Sequence, residues 1–200
     1  MSALADALSA PALEVAPRLL GAHLTANGVT VRLTEVEAYE GADDPASHAF
    51  RGRTPRNDVM FGPAGALYVY FTYGMHYCAN VVCGPEGRAS AVLLRAGEVV
   101  DGLEEARARR GFRPDHDLAR GPAKLCQALG LTLADNGAVL DGEEVTLELP
   151  ARSIAGEAVA RGPRVGIREA ADRPWRFWVA GERTVSVYRP AKAPRPENRL

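Results

Sequence analysis

The sequence predicts one α+β domain with mainly antiparallel strand pairing, and three observations predict it. Two hundred residues suit a single domain, long enough to bury roughly 70% of the unfolded chain's surface. Segments of strand character outnumber helical ones, and the turns between them are short, which favours antiparallel neighbours. A hydrophobic share of 46% and a charged share of 24% are those of a globular chain and exclude disorder, collagen and coiled coil.

The elements follow in order. A helix is expected over Ser2 to Leu8, ahead of Pro11, and a second over Ala12 to Leu20 with Gly21 as its C-cap. Asn27-Gly28 marks a hairpin between Ala22–Thr25 and a long strand, Val29 to Glu37. Strict alternation places Val29, Val31, Leu33, Glu35 and Glu37 on one face, so that two carboxylates continue an apolar row. Two readings fit: the strand has left the core by Glu35 and both carboxylates are solvated, or they serve chemistry. Residues 40–57 form a long polar loop, and loops of that length often carry function. Ala66 to Thr72 and His76 to Cys83 read as a hairpin turning at Tyr73-Gly74, and Ala91 to Ala96 as a strand with Leu93 and Arg95 on one face. Leu103 to Arg110 is a charged helix. Gly121 to Gly130 is another, with Pro122 in its first turn and Gly at its stop. Val145–Leu149, Phe177–Val179 and Thr184–Tyr188 have strand character, and the proline-containing tail from about 190 to 200 is expected to be loose.

Charge and cysteine content narrow the setting. Net charge is −1, yet residues 1–50 hold two basic and seven acidic side chains, whereas 51–200 hold 22 and 18. All cations but Lys124 and Lys192 are Arg, the better fork for phosphate, although a GC-rich genome gives the same bias. The odd number of cysteines (Cys78, Cys83, Cys126) points to a reducing cytoplasm rather than a disulfide framework, and their spacing offers no zinc site. The chain shows no apolar run of membrane-spanning length and no basic signal-peptide start, so no membrane partner is expected. No metal-type histidine spacing, glycine-rich phosphate loop or nucleophile elbow occurs.

What remains is a constellation: Glu37, Tyr39 and His48, then a tyrosine-rich hairpin (Tyr68, Tyr70, Tyr73, Tyr77), then Arg95. Four of six tyrosines fall within ten residues, beside Arg51, Arg53 and Arg56. Such a mix suits a surface that stacks bases and holds phosphates, or else a tyrosine-rich core strand beside an exposed loop histidine.

Glu35-Val36-Glu37-Ala38-Tyr39, His48, Arg53-Thr54-Pro55-Arg56-Asn57, Leu67 to Met75, Asn80, Val92 to Ala96, Gly121 to Leu129 and Arg164-Val165-Gly166 together resemble the alkyladenine (3-methyladenine) DNA glycosylase family. The resemblance runs in order from about residue 12 to 190. It implies a mixed domain around a curved, largely antiparallel sheet with surrounding helices. It also implies base-excision repair: hydrolysis of the N-glycosidic bond of damaged purines such as 3-methyladenine and hypoxanthine, in double-stranded DNA. No cofactor and no metal are implied, and a monomer is expected, associated with the nucleoid if the source is bacterial.

The resemblance also implies roles. Glu37 would deprotonate the attacking water and stabilise positive charge on the sugar, with Arg95 orienting that water and the Val165 backbone carbonyl as a third contact. Tyr39 and His48 would wall the flipped base, with Tyr70 at its edge, and Asn80 would crowd the 2-amino group of guanine. Tyr73 would enter the gap left in the duplex, with Met75 beside it. Arg53, Thr54, Arg56 and Lys124 would meet the DNA, and Glu35 would be structural. Neither lysine matches a Schiff-base nucleophile, so no lyase activity is expected. His76 and Ala123 stand where family members vary, and they leave damage preference and DNA affinity open. The chain has no long N-terminal extension, so no extra regulatory region is expected.

Two rivals deserve tests. A carbohydrate glycosidase needs carboxylates facing each other across a cleft, whereas Glu35 and Glu37 are neighbours on one strand. A non-catalytic damaged-DNA-binding protein would use the same aromatic and basic surface but has no use for Glu37.

Overall fold

A computed structural model describes residues 2–72 and 74–191. Tyr73 and the tail from 192 therefore lie outside the described residues. Four helices, α1 (Ala3–Ala7), α2 (Ala12–Arg18), α3 (Leu103–Arg110) and α4 (Pro122–Leu129), accompany eight strands. The strands are β1 (His23–Ala26), β2 (Val29–Tyr39), β3 (Leu67–Thr72), β4 (His76–Val82), β5 (Ala91–Asp101), β6 (Val145–Glu148), β7 (Val159–Gly162) and β8 (Arg176–Val179). All pairings are antiparallel, in the order β3-β4-β5-β2-β1-β6, with β8 bridging β2 and β7. The fold is α+β, and the sheet does not close into a barrel.

Local chemistry accounts for the frame. Asn27 and Gly28 take φ of 50° and 77°, the left-handed pair that a type I′ hairpin requires, and they join β1 to β2. Proline at the start of α4 and a left-handed Gly130 at its end give that helix its limits. Leu125, Cys126, Ala128 and Leu129 of α4 pack with Ala12, Val15 and Ala16 of α2 onto the apolar residues of the sheet. Helix α2 is shorter than expected: it ends at Arg18, and Gly21 donates its N–H to Leu33.

The central strand departs from strict alternation, with consequences for the site. Val29, Val31 and Leu33 enter the core, but so do Val36 and Ala38. Pairing of β2 with β5 slips on both sides of Glu35, leaving Thr34 on β2 and Arg95 on β5 each without a Cα partner. The slip switches parity. Glu35 and Glu37 therefore do not continue the apolar row, as alternation predicted; they project from the opposite face of the sheet. Nor are they solvated, since both are 0% exposed. At the same point β2 changes partner, pairing with β1 along Val29–Arg32 and with β8 along Glu35–Glu37. Gly97, opposite Leu33, permits this crowding: a Cβ there would sit 2.3 Å from the Val31 side chain and 2.5 Å from the Arg32 carbonyl oxygen.

Thr184–Tyr188 is not a strand. Its polar groups bond to side chains instead of a ladder: Ser186 N–H donates to Glu35, and the Val185 and Ser186 carbonyls accept from Arg120 and Arg176. The segment is a strap laid over the buried carboxylate.

Candidate active site

The strand register builds one transverse row. Tyr68, Asn80, Leu93, Glu37 and Arg176 are successive Cα partners across β3, β4, β5, β2 and β8. One step along, Tyr70 stands opposite Cys78. Their neighbours Leu67, Val69, Ala79, Val81, Val92 and Leu94 fill the core, so this alternate set faces the other way. Over the row opens a cavity of about 370 Å³, lined by Glu37, Tyr39, His48, Tyr68, Tyr70, Cys78, Asn80, Leu93, Arg95 and Val165 to Ile167 among others. That volume falls among small-molecule sites of roughly 300–1,000 Å³.

Among the described residues, Glu37 is the only carboxylate in this lining. Burying a charge is costly unless donors converge on it, and three do. Val165 N–H donates to Oε1 at 2.7 Å, Arg95 Nη1 lies 3.3 Å from Oε1, and the Tyr39 hydroxyl donates to Oε2 at 3.0 Å. The Val165 contact is thus through its N–H, onto Glu37 itself. Burial, and then the facing carboxylate, hold the Tyr39 phenol well above its ordinary 10.0, so it remains a donor.

Arg95 is held from behind. Its Nε donates to Glu35 at 2.9 Å and its Nη2 to the Ser186 hydroxyl at 3.3 Å. Glu35 in turn accepts from Arg176 Nε at 2.7 Å, the Ser186 hydroxyl at 2.9 Å and Ser186 N–H at 2.6 Å. Glu35 is saturated inside the protein, whereas Glu37 faces the cavity.

The walls are aromatic. His48 contacts Tyr70 edge-on with ring centres 4.6 Å apart, and its Nδ1 lies 3.1 Å from the Tyr68 hydroxyl. Partial burial, with Arg56 nearby, lowers the His48 pKa below its ordinary 6.5, favouring the neutral ring. Burial pushes Tyr68 up to about 12 and Cys78 above its ordinary range. Asn80 is fixed by Nδ2 donating to the Tyr68 carbonyl at 3.0 Å. The Arg164 guanidinium lies 4.6 Å over the Tyr39 ring and 5.0 Å over Trp175. It forks onto Asp44, and both side chains are fully buried.

Comparison with known proteins supplies the family. Residues 6–183 match the sequence model of Methylpurine-DNA glycosylase (MPG). The chain belongs to the methylpurine-DNA glycosylase family. A protein of Frankia casuarinae named "Putative 3-methyladenine DNA glycosylase" is 54% identical over 200 residues, covering 95% of this chain and 94% of its own. Equally named proteins of Nocardia farcinica and Streptomyces avermitilis are 57% identical over 182 residues (87% and 85% covered) and 53% over 194 (92% and 90%).

For a methylpurine-DNA glycosylase family member, the residues at the rim matter next. Arg53, Thr54 and Arg56 are exposed and outside the cavity lining. Arg53 pairs with Asp58, Thr54 N–H bonds Asn57, and Arg56 lies 5.5 Å over the Tyr70 ring. Met75, in the turn between β3 and β4, is 69% exposed. Tyr73, expected at that turn as the wedge, lies outside the described residues. Lys124 sits in a neighbouring groove and bonds both Asp117 oxygens at 2.8 Å. The sequence thus anticipated Glu37, Tyr39, His48, Tyr70, Asn80, Arg95 and Val165 around one cavity. It missed the supports: Asp44, Arg164, Arg176 and Ser186. Arg164 sat inside a quoted motif, but nothing in the spacing of Asp44 marks a partner so distant along the chain.

Among the described residues no group of three His, Cys, Asp or Glu side chains is placed to hold a metal ion, and no helix is long and apolar enough to cross a membrane.

Proposed function

We propose that this chain is a monofunctional glycosylase of base-excision repair that takes a damaged purine (3-methyladenine, hypoxanthine or a similar lesion) out of duplex DNA and hydrolyses its N-glycosidic bond. One observation carries the reading: a fully buried carboxylate, Glu37, opens into an aromatic cavity with room for one flipped base. The purine would lie between Tyr39 and His48 with Tyr70 at its edge, and Asn80 would abut the guanine 2-amino position. A cationic alkylated purine gains on the electron-rich Tyr39 face. Water held by Glu37 and Arg95 attacks the anomeric carbon. Its proton passes to Glu37, and the bond to the base breaks with the electron pair leaving on the purine. An N-alkylated purine cation departs neutral, whereas hypoxanthine departs as its anion and takes a proton from solvent, matching the one Glu37 then releases. The Glu37 anion also lies where the sugar becomes positive.

Tyr73, with Met75 beside it, would fill the vacated stack, and Arg53, Thr54, Arg56 and Lys124 would meet the backbone. No described residue lining the cavity carries an amine, and this favours hydrolysis without strand cleavage. The three buried free thiols fit a cytoplasmic protein, acting as a monomer in one domain.

The test is a single-turnover assay on a labelled duplex with one hypoxanthine, or one 3-methyladenine, followed by alkali. Breakage only after alkali supports the reading; breakage without alkali overturns the monofunctional assignment. Glu37→Gln should bind the lesion duplex and lose at least about 100-fold in excision rate. Excision at the normal rate by this variant would overturn the mechanism. Binding without excision by the unaltered protein, for both lesions, would favour a non-catalytic damaged-DNA-binding protein.

A further inference from the structure

The strap that begins at Thr184 joins no strand ladder, yet its polar groups converge on the two charges at the centre of the site. It starts at the slip in β2, where the buried hydroxyls of Thr184 and Thr34 meet at 2.9 Å. Two residues on, the Ser186 N–H and hydroxyl both donate to Glu35, at 2.6 and 2.9 Å, and its carbonyl accepts from Arg176 at 2.9 Å. Further along, the Arg189 carbonyl accepts from Gly166 N–H at 2.9 Å. Gly166 lines the cavity and follows Val165, whose N–H holds Glu37. One short segment therefore braces what stands behind Arg95 and the wall beside Glu37.

The Ser186 hydroxyl occupies a particular place in this web. A hydroxyl donates once and accepts as well. Here it donates to Glu35 Oε1 and accepts from Arg95 Nη2 at 3.3 Å. Arg95 Nε donates to the same Glu35 oxygen at 2.9 Å, and Nη1 lies 3.3 Å from Glu37 Oε1. A guanidinium is a rigid planar fork. Contacts at Nε and Nη2 fix its plane, and the direction of Nη1 toward Glu37 follows. Glu35 alone would leave a pivot about one bond. Glu35 itself depends little on this hydroxyl, because Arg95, Arg176 and the Ser186 N–H still satisfy it. The hydroxyl contributes mainly to the orientation of Arg95.

We propose that the strap is a working part of the active centre and that Ser186 is a positioning residue for excision, its hydroxyl locking the Arg95 guanidinium in the plane that serves Glu37 and the attacking water. The proposal rests on the glycosylase reading, in which Arg95 and Glu37 hold that water. Ser186 is outside the cavity lining, so it acts through Arg95 and not on the nucleotide. Small errors of placement matter in such a centre: a shift of about 1 Å can cost roughly 100-fold in rate.

The experiment is single-turnover excision of hypoxanthine from a labelled duplex with the full-length protein in excess, over a range of protein concentrations. It separates the saturating rate from the half-saturating concentration. Ser186→Ala should lower the saturating rate about 10-fold, the worth of roughly one hydrogen bond to a charged group, and leave the half-saturating concentration unchanged. Ser186→Thr keeps the hydroxyl and should restore the rate. Ser186→Ala combined with Glu35→Gln should be little slower than Glu35→Gln alone, because both changes free the same guanidinium. Thr25→Ala is the control for a lost hydroxyl pair: it breaks the 2.9 Å contact with Thr30 in the β1–β2 hairpin and should leave both quantities unchanged. Thermal melts establish that each variant is folded.

A saturating rate in Ser186→Ala equal to that of the unaltered protein overturns the proposal. So does a defect confined to the half-saturating concentration, which would place Ser186 in DNA capture. Equal slowing in Ser186→Thr, or in Thr25→Ala, overturns it too, since the loss would then follow packing and not the hydroxyl. Full additivity with Glu35→Gln would show that the two do not act through one guanidinium. Each of these results, obtained while the unaltered protein excises, refutes the role of Ser186 alone. Unaltered protein that excises neither hypoxanthine nor 3-methyladenine refutes the glycosylase reading, and this proposal with it.

Discussion

Removing the Asp44 carboxylate should damage this protein more than any change on its surface. Asp44 and Arg164 form a forked ion pair with both side chains fully buried, and Arg164 Nη1 also donates to the Ala38 carbonyl at 2.9 Å. The guanidinium lies over Tyr39 at 4.6 Å and Trp175 at 5.0 Å, so it cannot leave without unstacking both. Asp44→Ala strands that charge in the interior. Breaking one side of such a pair costs about 3–5 kcal/mol. For a chain of this size each kcal/mol lowers Tm by roughly 2–4 °C, so the variant should melt about 6–20 °C lower. Urea unfolding gives the free energy and calorimetry the melting shift. The companion is Asp44→Leu with Arg164→Met, which removes both charges and keeps apolar volume. It should recover much of the loss, because the cost lies in the uncompensated charge. A single variant within about 1 kcal/mol of the unaltered protein would place the pair among weak surface bridges and refute the reasoning. So would a double variant no more stable than the single.

Four further outcomes follow from the same geometry. His48 has a lowered pKa, so its neutral-state stability is present above pH 6.5 and is lost as pH falls through the lower folded value. Capture of a cationic purine should fade over that same range. Single-turnover excision of 3-methyladenine from about pH 5 to 8 should show an acid limb that moves in His48→Gln, and an unmoved limb would remove His48 from the slot. Tyr39→Phe keeps the ring and deletes the hydrogen bond to Glu37, worth about 1.5–3 kcal/mol for a charged acceptor; excision should slow while lesion binding persists, and equal loss of both would contradict the assignment. Glu35→Gln should slow excision through Arg95 and leave DNA affinity intact, with stopped-flow binding separating the two; loss of affinity alone would place its effect at the DNA surface. Gly97→Ala must push a Cβ against the Arg32 carbonyl at 2.5 Å, and a melting temperature equal to that of the unaltered protein would show that the bulged pairing has slack.

Much of this was legible in the chain because local signals agreed with tertiary ones. Asn27-Gly28, Pro122 and Gly130 fix their turns and caps by backbone chemistry alone. The tyrosine hairpin alternates as written, with Leu67 and Val69 inward and Tyr68 and Tyr70 toward the cavity. Alternation failed at Thr34, because a bulge is set by the crowding of two strands and a change of partner, not by the residues of one strand. Thr184–Tyr188 misled for a related reason: its β-branched residues have strand character, but Glu35, Arg120 and Arg176 supply the partners that a neighbouring strand would otherwise offer. Pairs such as Arg164 with Asp44, separated by most of the chain, leave no periodic trace.

The bulge also explains why two carboxylates two residues apart do different work. Slipping the register leaves Arg95 without a backbone partner opposite, and this aims its guanidinium between Glu35 and Glu37. Glu35 also receives Arg176 and the strap, so its acceptor capacity is spent inside the protein. Glu37 receives Val165, Tyr39 and the far side of Arg95, and still faces the cavity. A regular strand pair would have carried both carboxylates into the core with Val31 and Leu33, where neither ion could be compensated. The irregularity is therefore the element that turns a core strand into the floor of a site. Straightening it should abolish the site before it unfolds the sheet.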